Sequence, residues 1–105
     1  MFTAVYRWKL KKDNEERFIE GWRRRRTEEI YRKCGSLGSR LHKAEDGIWV
    51  GIAQWTNKET WKAMQNVSVD DMEAVEMMRD SIEESLPSIF MEVVEDLWQA
   101  KPFES

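Results

Sequence analysis

Asp46-Gly47 constrains this chain more than any other pair, because it divides two strand-like runs within Leu37 to Trp61, LGSRLHKAEDGIWVGIAQWTNKETW. A two-residue type I′ turn needs positive φ at both central positions, and Asp-Gly meets that demand well. If these two residues alone make the turn, the register follows. Glu45 then opposes Ile48, Lys43 opposes Val50, Leu41 opposes Ile52 and Ser39 opposes Gln54. The other face pairs Gly38 with Trp55, Arg40 with Ala53, His42 with Gly51 and Ala44 with Trp49. That second face sets two Trp rings beside two Gly, two Ala and the single His of the chain. Small residues beside large rings leave a hollow. It can floor a site for a flat ligand, or it can admit rings from a helix layer as ordinary core.

A length of 105 residues fits one domain spanning 1–105, with a modest core that a partner subunit would enlarge. Six Trp must be shared among core, interface and pocket. Charged residues make up 35% and the net charge is −3, which reads as a soluble protein. No apolar run approaches the roughly 20 residues of a membrane span. Lys and Arg appear early with no apolar stretch behind them, so no secretory leader is expected. The single Cys34 excludes an intramolecular disulfide and any all-Cys metal site, which suits the cytoplasm. Cys34 itself reads as a small apolar filler rather than a nucleophile.

Alternation from Phe2 to Leu10 predicts a first strand, with Phe2, Ala4, Tyr6, Trp8 and Leu10 on one side. Asp13, with Glu16 three residues on, predicts the start of a helix that runs to about Cys34 and stops at Gly35. At about 100° per residue, Phe18, Ile19, Trp22, Ile30 and Cys34 share its broad apolar face, and Arg26 falls near the middle. After the hairpin, Thr56 and Glu59 predict a short capped helix carrying Trp61 and Met64. Ser68 and Asp71 predict another, with Met72, Val75, Met78 and Ile82 in a stripe, ending at Leu86-Pro87. A Met stripe is adaptable core first, and a pocket wall second. Ser88 to Ala100 predicts a last strand with apolar residues on both faces.

The run Arg23-Arg24-Arg25-Arg26 points around most of a helix circumference, so it forms no single nucleic-acid stripe. Glu20 before Arg24, and Glu28 and Glu29 after Arg24 and Arg25, absorb charge at i,i+4. With a negative net charge, no nucleic-acid partner is expected. Arg26 differs, because a cation on a core-facing stripe needs a carboxylate, a route to water, or a ligand anion. Glu92 and Glu95 are candidate partners.

The order β, α, β, β, α, α, β predicts a ferredoxin-like α+β fold, an antiparallel sheet with helices on one side. The second sheet face is not polar on the first, third or last strand. No element remains to cover it, so a homodimer with sheet-to-sheet packing is expected.

The segments GSLGSRLH, DGIWVGIAQW and TNKETW, with a helix of the ERFIEGWR kind, resemble the antibiotic biosynthesis monooxygenase family, the dimeric α+β barrel group. The likeness covers about residues 2 to 67; the Met-rich helix and last strand match in layout only. The resemblance implies a ligand cavity between sheet and helices, near Tyr6, Trp22, Trp55 and Trp61, with Arg26 if its helix face is as drawn; the Arg40 and His42 face looks either into that cavity or into the dimer interface, and the Met stripe, Met78 included, suits a pocket wall. It also implies varied chemistry: oxidation of quinols or anthrones with oxygen and no cofactor, or haem degradation, or no activity. The haem-degrading members use an Asn, a Trp and a His. Tyr6 stands at the Asn position, Trp61 roughly at the Trp, and Met77 and Met78 near the His. This argues against haem by that mechanism, and leaves His42 as the candidate for any unusual axial ligand. A cofactor-free oxygenase needs a base, an anion stabiliser and an aromatic cage. His42 is the candidate base, Arg26 or Arg40 the stabiliser, and Tyr6 with the Trp rings the cage. The rival expectation is a non-catalytic module that binds a small ligand or partner in the same fold.

Overall fold

Alternation along the first nine apolar-periodic positions is realised as β1 (Phe2–Leu10), followed by α1 (Glu15–Arg26), β2 (Ser36–Lys43) and β3 (Trp49–Trp55). Then come α2 (Lys58–Gln65), α3 (Met72–Ser81) and β4 (Ile82–Glu92). This is a computed structural model; it describes residues 1–26, 33–65 and 71–99, with the Arg26 side chain left outside. The strands form one antiparallel sheet in the order β2-β3-β1-β4, the ferredoxin-like α+β arrangement expected.

Two clusters bury the helix-covered face. Trp8, Phe18, Trp22, Trp49 and Met78 form one, and Phe2, Ala4, Ala53, Trp55 and Met64 the other. Tyr6 touches both. Trp8 and Trp22 meet edge to face at 5.8 Å, a favoured aromatic geometry. A Cβ on Gly51 would lie 2.6 Å from Cη2 of Trp22 and 2.9 Å from Cη2 of Trp8. The hollow beside the small residues is therefore filled by rings and holds no flat ligand at Gly51.

The hairpin turn is longer than two residues. Gly47 N–H donates to Ala44 O at 2.9 Å, and Ala44 N–H donates to Ile48 O at 2.8 Å. Gly47 takes φ 90, while among the described non-glycine residues only Asp13 has positive φ. This is a three-residue loop with a glycine bulge, and the Asp46 carboxylate accepts from Ile48 N–H at 2.9 Å. The register moves by one: Lys43 pairs with Trp49, His42 with Val50, Leu41 with Gly51 and Arg40 with Ile52. A one-residue slip turns every side chain of the strand over. Leu41 thus joins the Trp8–Trp22 cluster, whereas Arg40 and His42 turn to the helix-free face.

Other boundaries also move. Asp13 adopts φ 65, so α1 starts one residue later, with Asn14 O accepting from Phe18 N–H at 3.0 Å. The reading of α1 as far as Cys34 falls partly on 27–32, outside the described residues, as does Ser68; Gly35 has the positive φ of 99 that a helix terminator uses. Asn57, not Thr56, caps α2, accepting from Thr60 N–H at 2.9 Å. Asp71 is the cap of α3. That helix ends at Ser81, because Ile82 is already extended, with φ −88 and ψ 124. β4 begins there, well before the Pro87 expected to precede it. Pro87 lacks an N–H, but β4 is an edge strand, and the pairing shifts between Val5 and Arg7 at this point. Pro87 O accepts from Arg7 Nε at 3.2 Å and from its Nη2 at 3.0 Å. β4 ends at Glu92, so 93–99 are not strand.

Gly51→Ala should cost about 1–3 kcal/mol by overpacking against Trp22. Urea denaturation would show a lower midpoint with an unchanged slope; an unchanged midpoint would mean that Trp22 has room to move.

Candidate functional site

The pleat of β1 sends Phe2, Ala4, Tyr6 and Trp8 to the helix side, and its register sets Phe2 beside Trp55 and Glu92. The Asn57 cap starts α2 so that Trp61 comes down over Tyr6. Its indole Nε1–H donates to the Tyr6 hydroxyl oxygen at 3.0 Å. Trp61 lies 5.4 Å from the Phe2 ring and 4.8 Å from Phe90. Phe2 and Phe90 stack at 6.0 Å with 9° between their planes. Phe90 is 48% exposed, so this aromatic wall opens to solvent at the β4 edge. A phenol oxygen that accepts an indole proton becomes a better donor through its own O–H, since hydrogen bonds in a chain polarise one another. The wall offers a planar ring an aromatic face beside that hydroxyl.

Of the expected pocket residues, Tyr6 and Trp61 meet here and are half-buried. Trp22, Trp55 and Met78 are core, at 6%, 2% and 5% exposure. Arg40 and His42 lie across the sheet, in a separate cleft. Within one chain they cannot act on a ligand held by Tyr6 and Trp61. Arg26 stands at the C-terminal end of α1, its side chain outside the described residues. Phe2 and Phe90 were missed as site residues. Their alternation gave their faces, but their adjacency needs the β1–β4 register. Among the described residues no three His, Cys, Asp or Glu are grouped to hold a metal.

Two arginines of the run hold ion pairs. Arg23 pairs with Glu20. Arg24 crosses to Asp71 and to Glu73 of α3, the latter at 3.1 Å. Arg24 holds the Asp71 carboxylate below its ordinary range, helped by the Ala74 N–H that Asp71 caps; Asp71 and Glu73 raise Arg24 in turn.

A four-stranded antiparallel sheet backed by helices, with an aromatic wall between the layers, defines a ferredoxin-like α+β protein. The antibiotic biosynthesis monooxygenase model matches residues 1–68, and the chain belongs to that family. No curated protein matches it. Solved structures share the fold. A Nitrosomonas europaea protein provisionally classed as an antibiotic biosynthesis monooxygenase has a TM-score of 0.73 at 14% identity, covering 90% of this chain and 100% of its own. SnoaB, a cofactor-independent oxygenase from Streptomyces nogalater, has a TM-score of 0.70 at 17% identity, covering 93% and 97%. Rv0793 from Mycobacterium tuberculosis has a TM-score of 0.72 at 10% identity, covering 92% and 98%. Among the described residues no helix is long and apolar enough to cross a membrane.

The Asp71 contribution has a defined sign. A carboxylate lowered in the folded state stabilises fully above its unfolded value, near 3.8, and loses that contribution as pH falls through the folded value. Asp71→Asn keeps a competent cap and removes the charge. Its melting temperature should lie below that of the native chain at pH 7, with the gap closing below about pH 3.8. A gap that stays constant with pH would show that the ion pair contributes nothing.

Proposed function

We propose that the chain is a monooxygenase that oxidises a small hydroxylated aromatic substrate of quinol or anthrone type with molecular oxygen and no cofactor. Family membership and the shared fold of SnoaB support the oxygenase class. The observation that carries the site is the Trp61–Tyr6 hydrogen bond inside the Phe2–Phe90 wall. In this reading the substrate ring lies against Trp61 and Phe90, and its oxygen accepts from the Tyr6 hydroxyl as it ionises. The ionised ring carbon bonds to oxygen and gives a hydroperoxide. The O–O bond then breaks with loss of water, leaving a carbonyl. A ring CH₂ plus O₂ becomes C=O plus H₂O, so the substrate supplies all four electrons and no external reductant enters. Arg26, four residues beyond Trp22, is the proposed counter-charge for the substrate anion. His42 cannot be its base within one subunit, because His42 is on the other face.

A second reading, a non-catalytic binding module, is favoured by the tight burial of Trp22, Trp55 and Met78. Oxygen uptake during titration with an anthrone or quinol separates the two. Tyr6→Phe should lower turnover about 10–100-fold, the scale of one transition-state donor or slightly less, with little change in KM. Binding without any uptake would replace the oxygenase reading with the second.

We also propose that a second copy packs on the helix-free face. Val5 there is buried, but Ile89 and Met91 beside it are 45% and 46% exposed, as a covered apolar face requires. Sedimentation should show a dimer at micromolar concentration, and Ile89→Asp with Met91→Asp should shift it to monomer. A native monomer would contradict this.

A further inference from the structure

We infer that Glu92 is the general base of the proposed oxygenation, and that the substrate is a fused-ring ketone with an acidic ring CH₂, of anthrone rather than quinol type. The role rests on the oxygenase reading, in which the Tyr6–Trp61 wall needs a proton acceptor and His42 lies on the other face. Phe2, Phe90 and Trp61 bring no base, and Tyr6 serves as the donor. Glu92 ends β4 and pairs directly with Phe2, as Phe90 pairs with Ala4. Directly opposed residues of an antiparallel pair point to the same face, with Cβ atoms about 4.5–5.5 Å apart. Phe2 and Ala4 are buried in the cluster with Met64 of α2. The Glu92 side chain therefore leaves the sheet on the helix side, next to Phe2 and two residues from Phe90. It is exposed, and among the described residues it holds no hydrogen bond or ion pair. An ionised carboxylate is acceptor-only, so at this aromatic edge it is available to a substrate proton.

The two polar groups stand at opposite ends of the wall. The Cα atoms of Phe2 and Tyr6 are about 13 Å apart at the rise of a strand. Trp61 bridges that interval, donating to the Tyr6 oxygen at 3.0 Å and lying 5.4 Å from the Phe2 ring. A single ring on Trp61 meets one polar group, whereas fused rings meet both. With the ketone oxygen at the Tyr6 hydroxyl, the ring CH₂ across the molecule is turned toward Glu92. The carboxylate forms an O–H bond with one CH₂ proton as that C–H bond breaks. The electron pair moves into the ring and leaves the ketone oxygen anionic, where Tyr6 donates to it. A carboxylate base set against a tyrosine donor is one established way to ionise a carbon acid near a carbonyl. The ring carbon then bonds O₂, and Glu92 returns its proton to the peroxide. It takes the second C–H proton as the O–O bond breaks, and passes it to the departing hydroxide to give water. Two protons are taken and two returned, so Glu92 ends ionised.

The test is anaerobic incubation of the full chain with anthrone in D₂O, following deuterium at the ring CH₂ by mass spectrometry. The native chain should speed exchange over buffer. Glu92→Gln should lower that enhancement at least about 100-fold, the scale of one general base, and Glu92→Asp should restore part of it. Quenching of Trp fluorescence by anthrone should be the same in Glu92→Gln as in the native chain. Glu83→Gln, which removes another exposed carboxylate of β4, should exchange at the native rate. Glu92 is exposed at the end of an edge strand, so its variants should keep the native circular dichroism. Three results would each overturn the role: exchange no faster than in buffer, native exchange in Glu92→Gln, or quenching lost along with exchange in Glu92→Gln, which would make the carboxylate a binding group only. Admitting air separates this inference from the oxygenase reading. Exchange without oxygen uptake would remove that reading and leave Glu92 as a base, and uptake without exchange would do the reverse.

Discussion

The edge of Trp22 rests on the backbone of Gly51, where an added Cβ would stand 2.6 Å from the ring. Much of the structure depends on that contact. It turns Trp49, Gly51, Ala53 and Trp55 toward the helices, all four of them buried. It lets α1 lie close over the sheet centre, where Trp8 and Phe18 pack edge to face. The Leu41–Gly51 pairing then brings Leu41 onto the same cluster. With Leu41 inward, the pleat leaves Arg40 and His42 outward.

The sheet therefore separates two chemistries. On the helix side, a phenol and an indole joined by a hydrogen bond stand among aromatic rings, at a place where the layer opens. On the other side, a cation, an imidazole and an amide lie under an exposed indole. The first arrangement suits a planar substrate whose oxygen becomes anionic during reaction. The second lies on the face proposed for a second copy. A strand only one residue out of step would have merged the two sets into one apparent active site.

The strand and helix order was legible because each element has a clean period. β1 alternates, Phe18 and Trp22 are one turn apart, and Asp46-Gly47 marks the hairpin. The register was not legible, because Asp-Gly serves a two-residue turn and a three-residue bulged loop alike. Packing of Leu41 on the Trp cluster is a tertiary preference that no local signal announces. The start of β4 was hidden for a similar reason. The segment IEESLPSIFME contains a proline that breaks helices, but an edge position tolerates it inside a strand. Tyr6 and Trp61 could be named from family resemblance. The placement of Trp98 over Arg40 could not, since it depends on a crossing from one sheet edge to the other.

Oxygen transfer without a cofactor is proposed for the Tyr6–Trp61 wall. Its most direct measurement is mass spectrometry of the product formed under ¹⁸O₂ by protein stripped with a chelator. One heavy oxygen atom is expected in the product carbonyl, with the second leaving as water, and that label should be lost in a variant lacking both Tyr6 and Trp61 side chains. Product without label, or labelling equal to that of the substrate alone in buffer, would contradict it.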